Sequence, residues 1–421
     1  MFQAGSFAGT LSQAITGVLL ARLLQPELFG IYALAFGVAG LAGIFLGGGT
    51  QDAMSAVVGE TYAQKDLPAT HEGLAYLVKV SVFASILALV IAAWAPLITQ
   101  LLYGNSEIGW YVLIIILAAA ISTLFFSVTS VGLQISGQIK KLSFLVMIDQ
   151  ILRFGLSLLF VFMGGGVLGA VAGHLAGSVI IFLICIFFWR NLRARSSMFP
   201  GLVKLLKEIR SVSVTRYLGF SFWTTVDRNI STLYASLPVL LTGIFLAPSQ
   251  VSFFKLAFGY INIALSVLGP ISILLNVEFP KMKVSDTQRL AFNFRKVTYY
   301  SIGLSFILTA GAILISPFAF HILYGPSFQM SVPYVFGLAI YGAFFGVGVG
   351  LGPMWRAVNR VKTSILINLV TLGIGIPLGL YLIKEFGLRG STITVTLWYT
   401  ISHFISFFYL RSLLSRLPRE Q

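Results

Sequence analysis

The stretch RNLRARSSMFPGLVKLLKEIRSVSVTR, Arg190 to Arg216, lies near the midpoint of the 421 residues. It carries Arg190, Arg193, Arg195, Lys204, Lys207, Arg210 and Arg216 against a single acid, Glu208. On either side, apolar segments long enough to cross a bilayer follow one another with little between them. Within the stretch, Leu202, Leu205, Leu206 and Ile209 fall at i, i+3, i+4 and i+7, one apolar helical face opposite Lys204, Lys207 and Arg210. That pattern describes a helix lying on an anionic inner leaflet. The plainer reading is a solvated connector whose charges only set topology.

Working outward, the two flanks echo each other. LAFG at Leu34 to Gly37 recurs at Leu256 to Gly259, and Pro26 matches Pro248, at one offset. At an offset one residue shorter, Pro96 matches Pro317, LYG at Leu102 to Gly104 matches Leu323 to Gly325, and Gly166 and Gly169 match Gly387 and Gly390. A spacing held across most of both halves, with matched turn residues, indicates internal duplication. The expected domains are a six-helix lobe over 1–190, the basic linker over 191–216, and a second six-helix lobe over 217–421.

Hydrophobic residues make up 57% of the chain and charged residues 10%, a balance foreign to water-soluble domains. Cys185 is the only cysteine, so no intrachain disulfide forms and no structural zinc site is expected. The opening MFQAGSFAGTLSQAITGVLL has no basic n-region and no clear cleavage site, and reads as a retained first span. A net charge of +15 would suit nucleic acid, but its placement in short segments between apolar runs argues for membrane topology, with no nucleic-acid partner.

Twelve spans are expected, at about 3–24, 30–48, 75–99, 109–134, 142–164, 167–189, 218–246, 251–277, 296–320, 329–353, 363–383 and 388–410. Six per half makes the duplication parallel, about an axis along the membrane normal. With both termini cytoplasmic, the inner segments hold most of the 28 basic residues: Lys65, Lys140, Lys141, the linker set, Lys281, Lys283, Arg289, Arg295, Lys296, Arg356, Arg360, Lys362, Arg411, Arg416 and Arg419. The outer side keeps Arg22, Lys384 and Arg389, and this bias sets the orientation. Outer loops are short, so no external domain is expected; longer inner loops are expected at Gly49 to Glu72 and Phe279 to Arg295. Gly165, Gly169, Gly173 and Gly177, and again Gly342, Gly346 and Gly350, recur every four residues and are expected to let helices pack closely.

The string ARLLQPELFGIYALAFG (Ala21 to Gly37) resembles a signature carried between the first two helices of polysaccharide transporters of the multidrug/oligosaccharidyl-lipid/polysaccharide exporter superfamily. IFLAPSQVSFFKLAFG (Ile244 to Gly259) and FPKM (Phe279 to Met282) resemble the stretch opening the second half of the Wzx-like O-antigen and repeat-unit flippases. The resemblance implies an all-α integral membrane protein in which two six-helix lobes surround a central cavity. It also implies a non-enzymatic carrier without cofactors, which moves lipid-linked oligosaccharide to the outer leaflet of the cell membrane by alternating access. Membrane lipids and polysaccharide-assembly proteins are the other implied partners. Two departures stand out: Pro238 replaces an acid common in relatives, and the segment Arg216 to Phe222 has no counterpart before Met1, so the start is either abbreviated or lacks an upstream segment.

An ionisable side chain within a span costs roughly 2.5 to 3.5 kcal/mol on insertion scales, which makes each one a candidate for function. Asp149 and Arg153 lie four apart on one face near the midplane, with Gln150 beside them; the plain alternative is an intrahelical pair serving packing. Asp227, Arg228 and Asn229 form a second cluster, near the cytoplasmic boundary, where snorkelling competes as an explanation. Lys255 and Gln13 complete the substrate-binding candidates. His174 and His403 are candidates for proton coupling, set against ordinary packing histidines. No metal site is expected.

Rival classes lack their marks. A polymerase or ligase would need a large external loop. A multidrug exporter of the same superfamily, the closest alternative, would be expected to carry an acid in spans 1 or 2. A major-facilitator transporter would show a charged G-x-x-x-D-R-x-G-type loop where GGTQDAMSAVVGE stands. No phosphate-cradling glycine loop with its lysine is present, so no nucleotide hydrolysis is expected.

Overall fold

The computed structural model describes residues 2–46, 48–213, 215–285 and 287–416. Within these, the side chains of 2–12, 45, 48, 49, 52, 53, 215–221, 224, 227, 228, 231, 284, 285 and 287 are not described. All regular structure among the described residues is helical. The chain divides into two compact units, Met1–Ser236 and Leu237–Gln421.

The first unit opens with α1 (Phe2–Ala42), which breaks at Gln25, where φ is 60° and ψ 170°. Pro26 follows, and a residue before proline is driven out of helical geometry, so the chain turns here. A short 3₁₀ turn, Gly43–Leu46, leads to α2 (Gly48–Ala63) and α3 (Leu67–Ala92). Asp66 caps α3 by accepting from the Ala69 N–H at 3.0 Å. Then come α4 (Ala95–Tyr103), α5 (Ser106–Ile135), α6 (Ile139–Phe160), α7 (Gly166–Arg195), α8 (Leu202–Ser211) and the larger part of α9 (Thr215–Phe245).

The inner loop expected over Gly49 to Glu72 is instead helical. Met54 and Val58 of α2 are fully buried in the same core as Leu74, Val128, Leu145 and Cys185, and that burial stabilises a helix where hydropathy alone suggested a connector. Helices α6 and α7 pack backbone to backbone. A methyl group on Gly177 would lie 2.6 Å from the Arg153 Cα, one on Gly173 would strike the Leu156 carbonyl, and Ser157 Oγ donates to the Ala170 carbonyl at 2.6 Å. The glycine row is therefore a packing face.

The linker also differs from expectation. Trp189 Nε1 donates to the Pro200 carbonyl at 3.1 Å, the Phe199 ring stands edge-on to Trp189, and Leu205 of α8 is fully buried with Leu202 and Ile209 packed beside it. The face expected to meet lipid is docked on protein, and Leu206 points outward, 55% exposed.

The second unit holds α10 (Pro248–Leu265), α11 (Gly269–Ser285), α12 (Thr287–Ala319), α13 (Val332–Gly337), α14 (Ala339–Phe344), α15 (Leu351–Ala357), α16 (Val361–Phe386) and α17 (Leu388–Ser415). Its core is aromatic, with Phe258, Phe345 and Tyr399 around Tyr341, and Phe294 between Phe279 and Phe407. The inner loop expected at Phe279 to Arg295 is helical too: α11 runs to Ser285 and α12 starts at Thr287. The span expected over 329–353 is broken, its two parts, Pro326–Gly337 and Ala339–Ala357, meeting at 53°. Gly346 lies against the Ser301 backbone and Gly348 against the His403 ring, so the glycines here serve close packing within a bent segment.

Eight described helices are long and apolar enough to cross a membrane, nine if the bent pair counts as one, against the twelve spans expected. Two of the eight contain a break, at Gln25 and at Gly164 (φ 90°). The stretch Ile139–Arg195, 57 residues, would extend about 85 Å if straight, nearly three times the ~30 Å hydrocarbon thickness. Phe83, Leu101, Phe162 and Leu314 are among many large apolar side chains left exposed, as a bilayer solvent allows. The chain is a multi-pass membrane protein.

Candidate functional site

Within the first unit, α5, α6, the 3₁₀ turn, α2 and α9 enclose a cavity of about 290 Å³, lined by Gly43, Leu46, Gln51, Ala119, Ser122, Thr123, Phe126, Ser127, Arg153, Asn229 and Thr232. At ~30 Å³ per water this holds about ten waters, the low end of small-molecule pockets. Its polar lining suits a compact charged or polar headgroup.

Arg153 supplies the charge. Its Nε donates to Asp149 Oδ1 at 2.7 Å and its Nη2 lies 2.6 Å from the same oxygen, while Gln150 Nε2 reaches Asp149 Oδ2 at 3.4 Å. Asp149 is buried at 6% exposure, as the partner of a cation one turn away. Nη1 of Arg153 has no protein partner among the described residues, so with the second hydrogen of Nη2 the guanidinium keeps three of its five N–H donors for a ligand. Around it, Ser122 Oγ is occupied by the Ala119 carbonyl at 3.0 Å, whereas the hydroxyls of Thr123, Ser127 and Thr232 and the amide of Gln51 make no hydrogen bond among the described residues.

Asn229, one of the substrate-binding candidates, lines the cavity and also braces its wall. Its Nδ2 donates to the Ile44 carbonyl at 2.9 Å, holding α9 to the 3₁₀ turn and so closing one cavity wall, with Oδ1 left as an acceptor.

The structure thus brings together Arg153, Asp149, Gln150 and Asn229 from the sequence candidates. The side chains of Asp227 and Arg228 lie outside the described residues, although their backbone belongs to α9. Gln13 is exposed on α1 and does not line the cavity, and Lys255 is half-buried on α10 of the second unit with no hydrogen bond or ion pair among the described residues. His174 is 8% exposed, stands edge-on to Phe36 at 5.3 Å and to Phe154 at 6.0 Å, and sits one helix away from the ion pair. His403 packs against Tyr399 and Phe345 in the second unit.

Sequence reasoning missed Gln51, Ser122, Thr123, Ser127 and Thr232. The hydroxyls at 122, 123 and 127 break into the apolar run of α5, a signal available in the sequence. Gln51 was hidden by being placed in a loop.

The sequence model of polysaccharide biosynthesis proteins matches residues 19–333. The chain belongs to this family. Among curated relatives, it is 24% identical over 392 residues to a putative O-antigen transporter of Shigella flexneri, a match covering 89% of this chain and 88% of that one. It is 25% identical over 243 residues to the lipopolysaccharide biosynthesis protein WzxC of Escherichia coli (strain K12), covering 57% of this chain but less than half, 47%, of the relative. Among solved structures, an inward-facing multidrug resistance MATE family transporter of the MOP superfamily aligns with a TM-score of 0.80 at 14% identity, over 97% of this chain and 94% of that one. The lipid II flippase MurJ in an inward closed conformation aligns at 0.71 and 13%, over 97% and 87%. Both likenesses show a shared transporter fold.

Proposed function

We propose that this family member is a flippase for lipid-linked oligosaccharide, moving a polyprenyl-pyrophosphate-linked glycan from the cytoplasmic to the outer leaflet of the cell membrane by alternating access. The observation that carries this reading is the Arg153–Asp149 pair in the wall of a polar, headgroup-sized cavity. The O-antigen transporter and WzxC relatives support the substrate class.

The apolar tail of such a substrate can stay in the bilayer, while its pyrophosphate cannot cross hydrocarbon unaided. Arginine stays protonated and binds phosphate oxygens through paired N–H groups. Asp149 neutralises it while the cavity is empty, which avoids an isolated buried cation. A pyrophosphate approaching Nη1 shares the guanidinium with Asp149 without having to displace it. The hydroxyls of Thr123, Ser127 and Thr232 and the Gln51 amide then meet the remaining phosphate oxygens or the first sugar. In a cell that is negative inside, moving an anion outward is downhill by ~2.3 kcal/mol per charge per 100 mV, so the cycle runs without a coupling ion.

In this reading both termini are cytoplasmic, residues 1–190 and 217–421 act as the two lobes joined by the linker, and Lys255, Asp227 and Arg228 meet the same substrate on its path. The test is transbilayer movement of a polyprenyl-pyrophosphate oligosaccharide in proteoliposomes. Wild-type protein should move it, and the charge-free Asp149→Asn/Arg153→Gln protein, equally inserted, should not. Undiminished movement by the double variant would overturn the assignment.

A further inference from the structure

Helix α8 has two sides with different fates. Leu205 is buried, Leu202 and Ile209 pack beside it, and Glu208 Oε1 lies 3.7 Å from His71 Nδ1 on α3. Just beyond the helix, Lys79 Nζ donates to the Val212 carbonyl at 2.7 Å. These contacts occupy one side of α8. At about 100° per residue, the other arc carries, in order, Leu206, Arg210, Val203, Lys207, Ser211 and Lys204, and all six are exposed.

Val203 is 69% exposed and Leu206 55%. Scattered apolar side chains on a surface need no explanation. Two neighbours framed by three cations, with the helix's only acid turned inward, form the pattern of an interfacial helix. Lys204 shares Glu208 at 3.7 Å, whereas Lys207 and Arg210 have no ion pair among the described residues.

The docking partner sets the depth. Helix α3 has 26 residues, about 39 Å, longer than a ~30 Å hydrocarbon core. Its far end runs on through Ala93 and Trp94 into apolar α4, so the polar end with Asp66, His71 and Glu72 is the one that emerges. Helix α8 is fastened along the half of α3 that holds this end, from His71 to Lys79.

We infer that the outer arc of α8 is a docking surface for the anionic phospholipid headgroups of the bilayer that α3 crosses. Val203 and Leu206 reach the acyl boundary, and Lys207 and Arg210, with Lys204 at the edge, take the phosphates. The sequence pattern pointed to such a surface on the opposite face; the structure moves it to this one. Nothing in the inference depends on what the protein transports.

The test uses the full-length Val203→Cys protein labelled with an environment-sensitive thiol probe, since native Cys185 is fully buried and stays unlabelled in the folded chain. It is placed in nanodiscs of phosphatidylcholine alone, or of equal parts phosphatidylcholine and phosphatidylglycerol, each doped with headgroup spin-labelled lipid. Quenching should be strong in the anionic discs and weak in the neutral ones. Adding Lys207→Gln and Arg210→Gln should weaken the anionic-lipid preference by about fivefold per charge removed. A probe that stays in water in both discs, or quenching that ignores lipid charge and both substitutions, would overturn the inference.

Discussion

Arg153 turns two nitrogens, Nε and Nη2, onto one oxygen of Asp149, Oδ1, at 2.7 and 2.6 Å, and leaves Nη1 without a partner among the described residues. The arrangement holds the guanidinium by one edge and keeps the remainder for a ligand. It also makes the two residues respond differently to substitution.

Removing one member of a buried pair strands the other, at about 3 to 5 kcal/mol. Arg153→Ala is therefore expected to abolish flipping and to lower thermal stability. Arg153→Lys should keep the fold and part of the activity, because a point charge remains but the paired donors do not. Flipping rates at matched membrane levels, read beside melting temperatures, check both. Normal transport by Arg153→Ala would leave the pair a packing device.

Asn229→Ala removes the tie from α9 to the Ile44 carbonyl while leaving the cavity's charge in place. The expected result is weaker apparent affinity for substrate with smaller loss of maximal rate, since the wall loosens but Arg153 stays. Initial flipping rates across substrate concentration separate the two; a pure loss of maximal rate would contradict a positioning role.

The glycine row on α7 offers a stability contrast. Gly173→Ala drives a methyl into the Leu156–Ser157 backbone of α6, whereas Gly155→Ala on α6 itself meets open space. The first should destabilise by about 1 to 3 kcal/mol and the second should be neutral or stabilising. Thermal unfolding in detergent, followed by the appearance of Cys185 reactivity, measures both.

The docked face of α8 is tested by truncation. Leu205→Ala opens a hole in a closed core and should cost about 2 to 5 kcal/mol, whereas Leu206→Ala on the outer arc should fall within about 1 kcal/mol in detergent. Equal effects would mean that α8 is not held against the first unit.

Gln25 sits at φ 60° and ψ 170°, a region that costs a residue with a Cβ about 1 to 3 kcal/mol. Its Nε2 offsets part of this by donating to the Arg22 carbonyl at 2.6 Å. Gln25→Gly should melt at or above the parent temperature. Gln25→Val, which adds β-branching and removes the hydrogen bond, should melt clearly below it. A valine variant as stable as the parent would rule out strain at this turn.

The sequence by itself determined that this chain lives in a bilayer, where most of its long apolar helices fall, and that Asp149 and Arg153 stand on one face of one helix. Those properties are local: hydropathy, a period of 3.6 residues and the scarcity of charge are written in neighbouring positions. Pro26 and the glycines of α7 likewise announced where the backbone would turn or pack closely. Only the tertiary structure decided the rest. Gln51, Thr123, Ser127 and Thr232 line one cavity because α2, α5 and α9 converge there, and no spacing along the chain encodes that convergence. Leu205 and Leu206 are adjacent and equally apolar, and the choice of which one is buried rests on where α3 presents His71 and Lys79. Hydrophobic burial is non-directional, so an amphipathic pattern says that a face will be covered. Which surface covers it is settled by packing between segments distant in sequence.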